Sequence, residues 1–306
     1  MSEPVVGRFA PTPSGRLHLG NVLCAMLACL SARQQGGRFL LRIEDVDVPR
    51  CPRALAQQAM EDLRWLGFTW DEPPLFQSER TEVYEHHLAL LTQQGLTYPC
   101  FCTRARLQSL LAPNLGDTQV VYPGTCRDLS PQETARLLTQ RSPSIRLRVP
   151  DKELVFTDGL QGVIRENLAR DCGDFVLRRS DGLFGYQLAV VVDDGLSGVS
   201  EVVRGRDILS ATPRQIYLQR LLGFPTPHYV HIPLLTDAHG RRLAKRDRDL
   251  DLSALRMRYS PEEILGILAS TAGLLRSYHP VSWDELTNDF SWSRVCREDM
   301  RLRFPD

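Results

Sequence analysis

The sequence has no apolar run approaching the roughly 20 residues that a membrane-spanning helix needs. Its first residues also lack the basic stretch and apolar core of an export signal. Neither sign of charge is in excess, because 37 Lys and Arg residues balance 37 Asp and Glu residues. We therefore expect a cytoplasmic protein without a membrane or DNA partner, in which a local basic surface must hold any RNA.

Histidine is scarce, and none occurs between His87 and His228, whereas cysteine is present at eight positions. Without an export signal, close cysteines are more typical of metal sites than of disulfides. Cys100, Cys102 and Cys126 surround a stretch rich in turn residues, which predicts a single structural zinc site, with three free buried thiols as the alternative. The candidates for the fourth ligand are Tyr122, Asp117, Asp128, Cys172 and water, and zinc chemistry alone ranks the tyrosine below a cysteine or a carboxylate.

The chain opens with alternating strand and helix patterns. A short apolar strand is predicted over residues 5–10, a helix over 18–34, a buried strand over 39–43 and an amphipathic helix over 52–66. This β-α-β-α order predicts an α/β fold with a doubly wound parallel sheet of the Rossmann type. A composition of 42% hydrophobic and 24% charged residues fits an ordinary globular protein of this class.

The pattern changes near residue 98, where Cys, Pro and Gly cluster, and a helix is predicted to open at Ser130 with capping-box spacing to Glu133. Further strands are predicted over 145–149, 175–179 and 187–192, and helices over 213–222 and 261–272. We therefore predict four parts: residues 1–97 and 176–250 as the two halves of the Rossmann-type domain, 98–175 as a zinc-containing insertion, and 251–306 as a short helical tail.

The junction between the first strand and the first helix has the features of a phosphate-binding loop. Two prolines and Gly15 precede His18, and Gly20 lies in the first turn of the predicted helix. Glycine lets a ligand approach the backbone, the helix N-terminus offers unpaired N–H groups, and an imidazole can donate to a phosphate oxygen. A lone His-x-Gly is weak on its own, because such a histidine is more often a helix cap than a catalytic residue.

The segment from Arg8 to Gly20 resembles the N-terminal signature of glutamyl- and glutaminyl-tRNA synthetases, which are class I aminoacyl-tRNA synthetases. His18, Gly20 and Asn21 fall in the HIGH motif of that family, with Asn at its last position. The segment 240–247 resembles the KMSKS loop, with Lys245 at its second lysine. Taken alone, such a basic stretch is a solvated surface. The resemblance implies that His18 and Lys245 are catalytic. It also implies that these two residues, Gly20 and Asn21 bind ATP, which carries Mg²⁺.

A glutamate substrate carries two carboxylates and one ammonium group, so its site needs at least two cations and one acid. Arg8, Glu44 and Arg204 all lie at predicted strand ends, where doubly wound folds bind ligands. The resemblance implies that Glu44 binds the amino group and that the two arginines bind the carboxylates, in an order left open. It also implies that Tyr186 donates its hydroxyl. The implied glutamate site further includes Ala10 and Thr12.

The pattern of Cys100, Cys102, Tyr122 and Cys126 resembles the zinc site of the glutamyl-Q tRNA(Asp) synthetase family, and this resemblance moves Tyr122 to first place as the fourth ligand. That family also has only a short tail after the catalytic core. The resemblance implies ATP-dependent transfer of L-glutamate to queuosine in the anticodon of tRNA(Asp). The alternatives are a short glutamyl-tRNA synthetase that charges an acceptor end and a catalytically idle RNA-binding paralogue.

Overall fold

The computed structural model describes residues 4–103, 121–237 and 252–304. Its helices are α1 (Leu19–Gln34), α2 (Arg53–Trp65), α3 (Thr81–Gln93), α4 (Pro131–Leu138), α5 (Tyr186–Leu196), α6 (Thr212–Leu222), α7 (Leu252–Leu255), α8 (Pro261–Ala272) and α9 (Trp283–Asp289). Its strands are β1 (Val6–Phe9), β2 (Arg38–Ile43), β3 (Leu75–Phe76), β4 (Thr97–Cys100), β5 (Ser144–Leu147), β6 (Glu153–Asp158), β7 (Gly162–Asn167), β8 (Phe175–Arg178), β9 (Glu201–Gly205), β10 (His228–Ile232), β11 (Leu235–Thr236) and β12 (Met300–Arg301).

The predicted parallel sheet is confirmed. β1 lies between β2 on one side, in parallel register with Arg8 opposite Leu40, and the parallel pair β9–β10 on the other. Two hydrogen bonds join β1 to the start of β9: Ser200 N–H donates to the Val6 carbonyl at 3.0 Å, and Val6 N–H donates to the Ser200 hydroxyl at 2.9 Å. The carboxyl ends of β1, β2 and β9 therefore meet at one edge, where α/β sheets bind ligands.

Helix α1 forms the centre of the core beside this sheet. It packs against β1, β2, β9 and α9, and most of its apolar side chains, such as Met26 and Leu30, are fully buried. A second buried cluster joins α3, α5 and α6 on the other side of the sheet. Helices therefore cover both faces, as the doubly wound pattern predicts.

The prediction of a buried strand over residues 187–192 is wrong, because this segment lies inside helix α5. Residues 188–194 are buried without interruption, so the helix has no solvent-facing stripe in this stretch. A short, wholly apolar run carries no period that separates a buried strand from a buried helix. The predicted helix at Ser130 is confirmed: the Ser130 hydroxyl accepts from the backbone N–H of Glu133, in a capping box at the start of α4.

Antiparallel strands occupy the middle of the chain, where an insertion was predicted. β5 lies between β4 and β8 in a three-stranded sheet, and β6 and β7 form a hairpin. The domain boundaries at residues 97, 175 and 250 stay predictions. No helix within the described ranges is long and apolar enough to cross a membrane.

The segment after α8 packs back onto the first half of the fold. The indole N–H of Trp283 donates to the Leu66 carbonyl at 2.8 Å, and that of Trp292 donates to the Ser31 hydroxyl at 3.1 Å. Strand β12 pairs in parallel with β11, with Met300 opposite Leu235. These contacts fix the position of β11, whose neighbour Leu234 lines the cavity described below.

Candidate active site

The N-terminus of α1 is closed by reciprocal hydrogen bonds. His18 is the N-cap, and its Nδ1 accepts from the backbone N–H of Gly20 at 3.1 Å, while Asn21 Oδ1 accepts from the His18 N–H at 3.2 Å. A Cβ at Gly20 would lie 3.0 Å from Cε1 of the imidazole, so glycine allows the ring to lie over the first turn. Because Nδ1 accepts, the proton of a neutral ring must be on Nε2.

A cavity of about 370 Å³ lies where this helix end meets the carboxyl ends of β1, β2 and β9. Every predicted ATP- or glutamate-binding residue that the structure describes lines it: Arg8, Ala10, Thr12, His18, Gly20, Asn21, Glu44, Tyr186 and Arg204. Tyr186 is the first residue of α5 and is 42% exposed. Lys245 and the rest of the predicted loop at 240–247 lie outside the described residues.

Behind the cavity, a buried cluster of charges joins Arg8 to Glu44. Asp194 Oδ1 accepts from Arg8 Nε at 3.3 Å and also pairs with Arg42, whose Nη2 lies 3.3 Å from Glu44 Oε1. The Thr12 hydroxyl donates to the other oxygen of Glu44 at 3.4 Å. Burial raises the pKa of Glu44, although the guanidinium groups of Arg42 and Arg8 act to lower it. A ligand ammonium group at this carboxylate would stabilise its ionised form.

Arg204 faces the same cavity from β9. Its Nε donates to His231 Nε2 at 2.9 Å, and its Nη2 donates to the Thr212 hydroxyl at 2.8 Å. All three side chains are buried. Arg8, Arg204 and Glu44 therefore lie on the wall of one cavity, whose lining also includes Arg16 and Asp207. The first three supply the set of charges that a glutamate ligand requires.

The predicted zinc residues lie together in the middle part of the chain. The Sγ atoms of Cys100, Cys102 and Cys126 are all within 4.8 Å of one another, with 3.7 Å between the last two. The Tyr122 hydroxyl oxygen lies 3.3 Å from Cys100 Sγ and 3.9 Å from Cys102 Sγ. In a tetrahedral site with zinc–sulfur distances of about 2.3 Å, sulfur atoms lie about 3.8 Å apart and sulfur and oxygen about 3.5 Å apart. The Cys102–Cys126 distance and the distances from Tyr122 to Cys100 and Cys102 are close to these values.

The thiols of the cluster differ: the surroundings of Cys100 favour a thiolate, whereas burial and the neighbouring Cys100 raise the pKa of Cys102 to about 11. Burial acts to raise the pKa of Cys100, but hydrogen bonds from Tyr122 and from the Cys102 backbone, together with nearby Arg146, lower it overall. The Arg146 guanidinium also lies 3.8 Å above the centre of the Tyr122 ring. Thiolate is the form of cysteine that binds zinc.

The other candidates for the fourth ligand are placed differently. The side chain of Asp128 is 86% exposed and pairs with Arg148, and the Cys172 thiol donates to the Leu168 carbonyl at 3.0 Å, outside the three-cysteine group. Asp117 lies outside the described residues. Tyr122 as the ligand stays a prediction, and it is the described alternative that lies beside the thiols.

Sequence reasoning missed the residues that hold the two arginines. Asp194 follows an apolar run that was taken for a strand, and His231 lies in the buried strand β10. The available signal was an ionisable residue inside a run that is otherwise apolar, since such groups are buried only with partners. The identity of those partners required the fold, because Arg8 and Asp194 are 186 residues apart.

Comparisons with known proteins identify the family of the chain. Residues 4–290 match the family described as tRNA synthetases class I (E and Q), catalytic domain. The chain is 49% identical to the glutamyl-Q tRNA(Asp) synthetase of Symbiobacterium thermophilum, over 97% of this chain and 95% of the relative. It is also 49% identical to that of Nitratidesulfovibrio vulgaris, over 90% and 88%. The crystal structure of glutamate-tRNA synthetase from Elizabethkingia anophelis is similar, with a TM-score of 0.86 and 26% identity over 98% of this chain and 68% of that one.

Proposed function

Because the chain belongs to the class I tRNA synthetase family of the E and Q type, and is therefore a ligase, we propose that it activates L-glutamate with ATP and transfers it to queuosine in the anticodon of tRNA(Asp). The activation of glutamate is supported by the cavity in which Arg8, Glu44 and Arg204 meet the N-terminus of α1. The transfer to queuosine rests on the relatives named glutamyl-Q tRNA(Asp) synthetase, which match nearly the whole chain.

In this proposal the charges of the cavity select glutamate. Glu44 accepts the ammonium group, and Arg8 and Arg204 each take a carboxylate, with the Tyr186 hydroxyl as a further donor. The pairing is charge-assisted in a site where both arginines are buried, so it is stronger than the same contacts would be in water. Glutamine lacks the second carboxylate and would leave one buried guanidinium without an anion.

Activation begins when the α-carboxylate of glutamate attacks the α-phosphorus of ATP, which forms the mixed anhydride and releases pyrophosphate. Mg²⁺ arrives with ATP and offsets the charge of its phosphates. In this proposal the helix N-terminus and the Nε2–H of His18 donate to phosphate oxygens as negative charge grows on them. Lys245 is proposed to neutralise the same charge from its loop. A hydroxyl of the RNA then attacks the anhydride, and AMP leaves.

We also propose that Cys100, Cys102, Tyr122 and Cys126 hold a structural zinc ion. Four protein ligands would leave no open position for a substrate, so the ion would fix the middle part of the chain and take no part in the reaction. The distances between these side chains support the proposal.

The test is transfer of labelled glutamate, with ATP and Mg²⁺, to total tRNA from cells that make queuosine and from cells that cannot. A second pair of samples carries tRNA from which the 3′-terminal adenosine has been removed. The proposal expects label only on queuosine-containing tRNA, and the same label after removal of the adenosine. Label on both kinds of tRNA that disappears with the adenosine would instead indicate acceptor-end charging. No label on any sample would favour an idle RNA-binding protein.

A further inference from the structure

A line of buried hydrogen bonds runs from the β6–β7 hairpin to the wall of the cavity. The Nδ1–H of His231 donates to Asp158 Oδ2 at 2.6 Å, and Arg204 Nε donates to His231 Nε2 at 2.9 Å. Asp158 and His231 have fully buried side chains, and Arg204 is 6% exposed. The Arg204 guanidinium also lies over the Tyr229 ring, 5.2 Å from its centre. Side chains from β6 and β10 thus hold a guanidinium that β9 carries.

The direction of these bonds fixes the tautomer of His231. A guanidinium has donors only, so the ring nitrogen that faces Arg204 must be the acceptor and the proton must be on Nδ1. Asp158 requires the same tautomer, because its carboxylate accepts from Nδ1–H. Burial lowers the pKa of His231, although the hydrogen bond to Asp158 acts to raise it. The ring is therefore a neutral acceptor for Arg204.

The hydrogen bonds of Arg204 leave one of its nitrogen atoms for a ligand. Nε is bound to His231 and Nη2 to Thr212, whereas Nη1 is buried and has no hydrogen-bond partner within the ranges described. A buried donor without an acceptor is costly, and a charged one more so. Because Arg204 lines the cavity, a carboxylate oxygen bound there would satisfy this donor.

We propose that Asp158 and His231 are positioning residues for the glutamate site: Asp158 fixes the His231 tautomer, and the imidazole holds the Nε side of Arg204 so that Nη1 faces the substrate carboxylate. Neither residue touches the substrate. The inference rests on the proposed function, since it assigns Arg204 to glutamate, and it adds residues that the cavity wall does not include.

Asp158 also has a structural role, and the test must separate it from the positioning of Arg204. Its Oδ1 accepts from the backbone N–H groups of Leu160, Gln161 and His231 at 2.9–3.1 Å, which holds the turn after β6. In Asp158→Asn the amide oxygen can keep these bonds. The amide nitrogen then meets Nδ1 of the imidazole and donates to it, which moves the ring proton to Nε2. The Nε2–H can then donate to the Thr212 hydroxyl, which lies 3.1 Å away, but Arg204 Nε–H faces a donor and loses its acceptor, so the guanidinium must turn.

The experiment is glutamate-dependent pyrophosphate exchange by the full chain with tRNA present, in which the KM values for glutamate and for ATP are measured separately. For Asp158→Asn we expect the KM for glutamate to rise on the order of 10- to 100-fold, while the KM for ATP changes by less than about twofold. KM does not depend on how much enzyme is folded, so partial unfolding does not obscure the result. The matched control is Glu201→Gln, which alters the His228–Glu201 pair on the same two strands and should change neither KM.

A second pair of variants tests the imidazole itself. His231→Gln can place an amide oxygen near the position of Nε2 and should retain more glutamate affinity than His231→Asn, whose amide reaches only the position of Nδ1. Unchanged KM values for glutamate in Asp158→Asn and His231→Asn, or equal increases for glutamate and ATP, would overturn the inference. If the unaltered protein shows no glutamate-dependent exchange, the proposed function fails instead.

Discussion

Asp194 is the anion on which the buried charge cluster depends, and its replacement by asparagine should be strongly destabilising. The carboxylate pairs with both Arg8 and Arg42, and the side chains of all three are between 3% and 5% exposed. Asparagine is nearly isosteric, so it creates no cavity. It removes the charge and one acceptor oxygen, and leaves two buried guanidinium groups, of which Arg42 still lies 3.3 Å from Glu44.

The magnitude follows from the burial. Removal of one partner from a buried ion pair costs about 3–5 kcal/mol, because the remaining charge is left without compensation. Asparagine keeps one hydrogen-bond acceptor, but two arginines lose the charge, so we expect the free energy of unfolding to fall by about 3–5 kcal/mol. The Arg165–Glu153 pair serves as a control because it lies on the surface, with side chains 63% and 55% exposed. Glu153→Gln should lower the free energy of unfolding by less than about 1 kcal/mol.

The assay is urea unfolding at pH 7 of the unaltered protein, Asp194→Asn and Glu153→Gln, followed by circular dichroism. The pH dependence gives a second check. Burial acts to raise the pKa of Asp194, but Arg42 and Arg8 lower it overall. Because the folded-state pKa lies below the unfolded value, the stabilisation is present above about pH 4 and is lost as the pH falls through the folded-state pKa. A loss of less than about 1 kcal/mol at pH 7 would refute the reasoning.

Three further predictions concern other parts of the chain. Lys245→Ala should abolish pyrophosphate exchange while the circular dichroism spectrum and melting temperature stay unchanged, and normal exchange would contradict its assigned role. Cys126→Ser should lower the zinc content measured by atomic emission, and a chelator should lower the melting temperature of the unaltered protein but not that of the variant. Ser260→Ala removes the N-cap of α8 and its bond from the Glu263 N–H, so urea unfolding should show a loss of about 1 kcal/mol, and no loss would contradict the cap.

Local signals in the sequence were sufficient for the elements with an exposed face or a marked start. The spacing from Ser130 to Glu133 predicted the N-terminus of α4, and the apolar spacing over 52–66 predicted α2, which has one buried face. Helix α5 was misread because its surroundings are apolar on all sides over residues 188–192. Periodicity reports a boundary between core and solvent, and no such boundary exists there.

The residues that line the cavity could be predicted from the sequence, but the residues that hold them in place could not. Arg8, Glu44 and Arg204 were found because a resemblance and the ends of predicted strands marked them. His231 and Asp158 contact each other across 73 residues, and neither lies in a motif that a local pattern defines. Their roles depend on the tertiary packing, which brings β6 and β10 together.

Arg8 and Arg204 are held by different kinds of partner, and this follows from what a buried cation requires. A guanidinium that is only 5–6% exposed needs hydrogen-bond partners that fix its position. If the partner is a carboxylate, however, it neutralises part of the positive charge that would bind a ligand. Arg8 shares Asp194 with Arg42, so its charge is partly compensated before any ligand binds. Arg204 is instead held by a neutral imidazole, with the Asp158 carboxylate one ring farther away. The orientation of Arg204 is thereby fixed while most of its charge stays available to a substrate carboxylate.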